Sequence, residues 1–329
     1  MVASLRSIGQ EASITLYVHD DLLGHVPNPG AQARHGKSLQ TIDNDGLRSS
    51  GETSPPSERT ILAVGDSYTY GEEVNDDQTW PAYLQRLTGY RVLNGGVSGY
   101  GFDQTVLRAE QLADKFSPSI IIVSFIEDNL RRAEMGTLWW RDKPWFAIEG
   151  GQLAYKAASE PSWAKLPRRF HTYLGHWFHK MPPPRRARAQ LVENKLVEAL
   201  PPQLQHLLGY NVRMHPVGSG LEIAQLLIER LAELQRNRGV RVIVMAQHPP
   251  VVWRDQAEGR RLRRATQRVL DRAAACGLAT MDTYPRLATE PAPHRQYANS
   301  HMNARGNSMI ASLLAATLPV LLGEPSKGL

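Results

Sequence analysis

Ile61-Leu62-Ala63-Val64-Gly65-Asp66-Ser67-Tyr68-Thr69-Tyr70-Gly71 opens on an apolar run and breaks at once into glycine and polar residues. A short apolar run bounded by turn residues reads as a strand buried on both faces, and a hydroxyl at its carboxyl end sits where open α/β sheets build their sites. Four more runs have the same character: RVLNGGV (91–97), IIIVSFI (120–126), VRVIVMAQ (240–247) and LATMDTY (278–284). With ILAVGDS (61–67) they make five expected strands. Helical patterns fall at about 78–88, about 102–115, 219–237, about 256–275 and 303–322. Such alternation predicts βαβ units and a parallel sheet covered on both faces, a three-layer αβα sandwich. In the helix at 219–237, Ser219 and Glu222 have capping-box spacing, Leu221, Leu227, Leu231 and Leu234 follow a helical period, and Gly239 lies just past the end.

Two segments stand outside this alternation. Residues 1–58, with PNPG at 27–30 and SSGETSPPSE at 49–58, read as an N-terminal arm of short strands and loops. Residues 131–218 separate the third strand from the fourth, so the sheet domain is expected over 59–130 and 219–329 with a mostly helical insertion between. The insertion holds five of the seven tryptophans (Trp139, Trp140, Trp145, Trp163, Trp177), which suit either a small core of its own or a lid over a site. Over 131–215 it carries 14 Lys/Arg against 6 Asp/Glu, in a chain whose overall net charge is +6. A basic face of this kind is a solvated surface or a weak contact for anionic surfaces. The arginines of PPPRRARAQ lack the interleaved aromatics of a nucleic-acid platform, and no nucleic-acid partner is expected.

With 42% hydrophobic and 21% charged residues, the 329-residue chain has material for a sizeable core. Cys276, the only cysteine, excludes an intramolecular disulfide, and its setting in AAACGL suits a buried small hydrophobe. No run is long enough to span a bilayer, and Arg6, Gln10 and Glu11 interrupt the apolar start that a signal peptide requires. As written, the chain reads as cytoplasmic, although a start codon assigned too far downstream would remove an anchor.

Three places carry the candidate chemistry. Ser67 ends the first strand, where it could also serve only as a helix cap. Val92-Leu93-Asn94-Gly95-Gly96-Val97-Ser98-Gly99-Tyr100-Gly101 ends the second, and a loop so rich in glycine lets backbone N–H groups approach a developing negative charge. It lacks the G-x-G-x-x-G spacing of a dinucleotide loop. Near the C-terminus, His301 precedes Asn303, a candidate cap that would hold the histidine rigidly before the last helix. A nucleophilic serine needs a base within hydrogen-bond reach, and His301 has the best placement of eleven histidines. His171, His176 and His179 lie on an aromatic helical stretch with no nearby carboxylate, so no metal site is expected there.

GDSYTYG, VLNGGVSGYG and HMNARGN, in this order and spacing, resemble the serine, glycine and histidine blocks of the SGNH (GDSL) hydrolases. The resemblance covers about 59–130 and 240–322, and the segment from Thr41 to Arg48 is similar to the leader of a bacterial branch. It implies the flavodoxin-like SGNH fold and acyl-ester cleavage without a cofactor. It further implies Ser67 as nucleophile, His301 as general base, the backbone N–H groups of Ser67 and Gly99 as oxyanion donors, and Asp66, Asp128 and Asn129 on the oxyanion and substrate-binding side. Two departures bear on this. Where the family's third block presents Gly-x-Asn-Asp, this chain reads Ser124-Phe125-Ile126-Glu127-Asp128-Asn129, with the last two residues inverted. Asp128 in the asparagine's place would repel an oxyanion, whereas a one-residue shift would let Asn129 donate. Ala298 stands where the family carries the acid that orients the histidine, leaving a Ser–His dyad or a substitute such as Asp282 or a backbone carbonyl. The sequence therefore predicts a serine esterase acting on an O-acyl sugar or a lipid, with a catalytically impaired SGNH-fold binding protein as the alternative.

Overall fold

Alternation along each central strand sends its residues to two different cores. Ile61 and Ala63 pack with Ile120, Ile122, Ile243 and Met245 on one face of the sheet, whereas Leu62 and Val64 pack with Ile121, Val123, Val242 and Val244 on the other. A strand buried on both sides gains about 1.5–3 kcal/mol for each large side chain removed from water, which explains runs that are apolar at every position.

The computed structural model describes residues 16–52, 57, 59–158 and 196–323. The N-terminal arm forms two hairpins, β1 (Tyr17–Asp20) with β2 (Gly24–Pro27) and β3 (Gln32–His35) with β4 (Ser38–Thr41). Then follow β5 (Thr60–Val64), α1 (Ser67–Tyr70), α2 (Trp80–Thr88), β6 (Arg91–Asn94), α3 (Phe102–Phe116), β7 (Ile120–Phe125) and α4 (Asp128–Ala133). The insertion contributes β8 (Met135–Leu138), β9 (Arg141–Asp142), β10 (Trp145–Glu149), β11 (Gln152–Lys156), α5 (Pro202–Leu207) and β12 (Asn211–Arg213). The chain closes with α6 (Gly220–Arg238), β13 (Arg241–Ala246), α7 (Val251–Arg254), α8 (Gln256–Ala275), β14 (Ala279–Asp282), α9 (Tyr284–Ala288) and α10 (Ala304–Leu321).

The five expected strands form one sheet in the order β14-β13-β7-β5-β6, parallel at every junction. Helices α3, α6 and α8 cover one face, and α2 and α10 the other. The order reverses between β5 and β7, so the carboxyl ends of these strands border a topological switch point, where doubly wound sheets open a crevice. Ser67 lies three residues beyond the end of β5.

The insertion differs from the helical expectation. Within its described part most of the regular backbone is strand: β12, β8 and β9 form one small sheet, and β10 pairs with β11. Tight turns decide this, since Gly150 and Gly151 both take positive φ between β10 and β11 and set a hairpin. Phe146 is fully buried within the main core, so this hairpin docks on the sheet domain. Trp163, Trp177, His171, His176 and His179 and the arginines of PPPRRARAQ lie outside the described residues.

Two smaller expectations also change. Ser219 is itself helical (φ −67°, ψ −18°) and its side chain makes no capping bond. Glu134 caps α6 instead, its Oε1 accepting from the N–H groups of Gly218 at 2.8 Å and Gly220 at 3.1 Å, because a buried carboxylate meets the orphan donors better than a hydroxyl. Cys276 is half-buried at the end of α8 rather than enclosed. Among the described residues no helix is long and apolar enough to cross a membrane.

Candidate active site

Asp66 ends the extended backbone after β5 and caps α1, its Oδ1 accepting from the N–H of Tyr68 at 2.9 Å. The single turn stops at Gly71, in the left-handed region at φ +82°. Ser67 thus starts a one-turn helix whose two ends are both chemically fixed. The glycine run lies flush on this turn: a Cβ on Gly96 would come 2.5 Å from the N atom of Tyr70, and Asn94 Nδ2 donates to Thr69 O at 3.0 Å. A side chain at Gly96 would force the two loops apart, whereas that of Asn94 ties them.

His301 arrives from the far end of the chain. Asn303 caps α10 as expected, its Oδ1 accepting from Gly306 N–H at 3.0 Å. The Tyr68 hydroxyl donates to Ser300 O at 2.6 Å, and the Tyr68 ring lies against the imidazole with centroids 5.3 Å apart. These contacts place His301 Nε2 2.8 Å from Ser67 Oγ.

Ser67, Gly99, Asp128 and His301 line one cleft of about 1370 Å³; Asp66 and Asn129 do not reach its wall. Gly99 stands at φ +85°, and a Cβ there would come 2.8 Å from the Trp139 ring. The N–H groups of Ser67 and Gly99 find no acceptor among the described residues. Trp139 and Trp140 form the two-residue tip of the β8–β9 hairpin at φ +51° and +59°, a turn that favours Asn-Gly. Holding side chains this large in the left-handed region costs about 1–2 kcal/mol per residue. Packing offsets that strain: Arg132 lies over the Trp139 ring at 5.3 Å, and Trp140 meets Tyr210 edge-on at 4.6 Å.

Of the inverted residues 128 and 129, Asp128 lines the cleft and Asn129 does not. Asn129 is buried and fully engaged: Oδ1 accepts from Ile126 N–H at 2.6 Å, and Nδ2 donates to Asp66 Oδ2 at 3.0 Å and Tyr100 O at 2.8 Å. It therefore binds the three motif loops to one another, with no amide hydrogen left for a ligand. Asp128 is held by Arg131 (Nε to Oδ1, 2.5 Å) and Arg132 (Nε to Oδ2, 2.8 Å). Burial pushes its carboxyl up, but the two guanidinium groups outweigh this and bring it down to about 2, so its charge is neutralised locally.

Asp282 does not reach His301. Its Oδ1 accepts from His248 Nε2 at 2.7 Å and from Tyr284 N–H at 2.8 Å. Among the described residues the carboxylate that faces His301 is Glu73, three residues past the end of α1, with Oε1 3.7 Å from Nδ1. That separation is ion-pair reach, too long for a formed hydrogen bond, and Nδ1 has no hydrogen-bond partner among the described residues. A sequence clue was present, since Glu72 and Glu73 are the first acids after Ser67.

No protein-family model matches this chain, and no curated protein matches it. Among solved structures it is similar to TesA (16% identity, TM-score 0.44, 80% of this chain and 99% of that one). It is also similar to an α/β hydrolase from the metagenome of Lake Arreo (13%, 0.47, 82% and 99%). A third is a catalytic mutant of Axe2, an acetylxylan esterase from Geobacillus stearothermophilus (13%, 0.45, 83% and 98%). In the order of its serine, glycine and histidine blocks the chain resembles the SGNH (GDSL) hydrolases.

Proposed function

We propose that this protein is a serine esterase that cleaves an acyl ester through an acyl-enzyme on Ser67. The observation that carries the reading is the 2.8 Å contact between Ser67 Oγ and His301 Nε2 at the switch point of the sheet. In the forward step His301 Nε2 takes the hydroxyl proton as Oγ attacks the ester carbonyl, and the unoccupied N–H groups of Ser67 and Gly99 receive the oxyanion. The proton then passes to the departing alkoxide, and water, activated by the same nitrogen, releases the acyl group. The cleft is large enough for an O-acyl sugar or a lipid ester. One observation favours the second reading, an SGNH-fold protein that binds an acylated ligand without cleaving it: with Asn129 committed elsewhere, the donors this reading assigns to the oxyanion among the described residues are the backbone N–H groups of Ser67 and Gly99. Losing one oxyanion donor costs about 10²–10³ in rate elsewhere, which slows a hydrolase without abolishing it. Nitrophenyl esters of graded acyl length are the test. Release of nitrophenolate in proportion to protein supports the esterase, and no turnover at any chain length transfers the site to the binding reading.

A further inference from the structure

We propose that Glu73 is the positioning residue for His301, taking the part of the acid missing at position 298, so that nucleophile and orienting carboxylate lie on one seven-residue segment. This rests on the esterase reading for its kinetic consequences, though the arrangement itself has a readout free of turnover. Position 298 is alanine, and the imidazole still needs a partner at Nδ1 if Nε2 is to accept from Ser67. Nδ1 is buried without a hydrogen-bond partner among the described residues, and Glu73 Oε1 is 3.7 Å away, within ion-pair reach. Active-site hydrogen bonds of this kind are often long before substrate binds.

The carboxylate is aimed rather than loose. Its Oε2 accepts from Asn299 N–H at 2.9 Å and its Oε1 from Asn299 Nδ2 at 3.3 Å, so the segment that carries the histidine also holds the acid. Only 12% of the Glu73 side chain is exposed. Burial alone would push the carboxyl up; His301 and Asn299 together bring it down to about 2, so it is ionised wherever an esterase works. Other charges nearby are engaged elsewhere. Asp66 binds Asn129 and Arg132, Glu72 binds Ser98, Glu127 binds Arg261, and Asp128 binds Arg131 and Arg132. Tyr68, the remaining titratable group against the ring, donates its hydroxyl to Ser300 O.

The test is Glu73→Gln beside Glu73→Asp and Ala298→Asp, followed by nitrophenyl acetate kinetics across pH, melting temperature, and nitrogen-15 NMR of the His301 ring assigned with His301→Gln. Glu73→Gln should keep the melting temperature at neutral pH within a few degrees and lower kcat by roughly 10²–10⁴-fold. It should also move the acidic limb of the profile to lower pH, because the carboxylate no longer favours the charged ring. Glu73→Asp should recover part of the rate. Ala298→Asp alone should bring no gain, since the position it would serve is taken. In the wild type, neutral His301 should carry its proton on Nδ1. A wild type without esterase activity sinks the function and leaves the NMR arm to decide this proposal. Glu73→Gln with unchanged rate and limb, or a wild-type ring protonated on Nε2, overturns it. If Glu73→Gln does not fold, Glu73→Asp and the wild-type tautomer still decide.

Discussion

Ser67→Ala is expected to remove at least about 10³-fold of the esterase rate while leaving the melting temperature nearly unchanged. The oxygen it deletes sits 2.8 Å from His301 Nε2, and every covalent step passes through that oxygen. Ser67 is almost fully buried, and its hydroxyl does not hold the turn together: Asp66 caps α1 and the N–H of Gly71 closes it on Ser67 O at 3.0 Å, neither of which the substitution touches. Steady-state kinetics on a nitrophenyl ester, with a melting curve on the same preparation, separate loss of chemistry from loss of fold. A variant that keeps most of its rate would place the nucleophile elsewhere.

The largest stability effect is expected at Arg48, in the arm rather than the sheet. Arg48 is buried, ion-paired with Asp76, donates Nη2 to Leu39 O at 3.2 Å and Val74 O at 3.0 Å, and lies over the Tyr70 ring at 5.1 Å. Its backbone N–H also reaches Asn94 O at 2.9 Å. One side chain thus ties the arm to the segment that follows the nucleophile's turn, and burial pulls its own pKa down to about 10. Arg48→Ala leaves Asp76 almost enclosed without its cation. Breaking a buried pair from one side costs about 3–5 kcal/mol. In a chain of this size the melting temperature should fall by on the order of 10 °C. Arg48→Lys should recover only part, because an ammonium keeps the charge but not the fork that serves Asp76 and two carbonyls together. Thermal melts of the three proteins measure this, and an Arg48→Ala melt within 2–3 °C of wild type would contradict it.

What the sequence made legible follows from how local each signal is. Ile61–Val64 and the other four runs show their burial in composition, so the parallel sheet and its helices were readable to within a few residues at each end. Ser67 and His301 were readable because each stands next to a strong backbone signal, a strand end and a helix cap. Glu73 was not. Its claim depends on Asn299, more than two hundred residues away, and a three-residue spacing rule points only to Ala298. The cap of α6 failed for the same reason: Ser219 and Glu222 have the right spacing, but Glu134 arrives from another element with a stronger acceptor. Asn129 shows the limit of reading a motif as a row of roles, since its amide can serve a ligand or three loops, and only the fold decides which. In the insertion, the tryptophans suggested a small core or a lid, whereas a Trp-Trp turn held at positive φ by Arg132 and Tyr210 has no sequence signature at all.

The central claim is that Ser67 is an activated nucleophile, and the most direct measurement is covalent labelling with a fluorophosphonate followed by mass spectrometry of the modified peptide. Phosphonylation requires an alkoxide-like oxygen beside a base and does not depend on knowing the substrate. The expected result is one adduct per chain, located on Ser67, absent in Ser67→Ala and slowed at least about 10²-fold in His301→Ala. An unlabelled wild type, or an adduct on any other residue, would contradict the account.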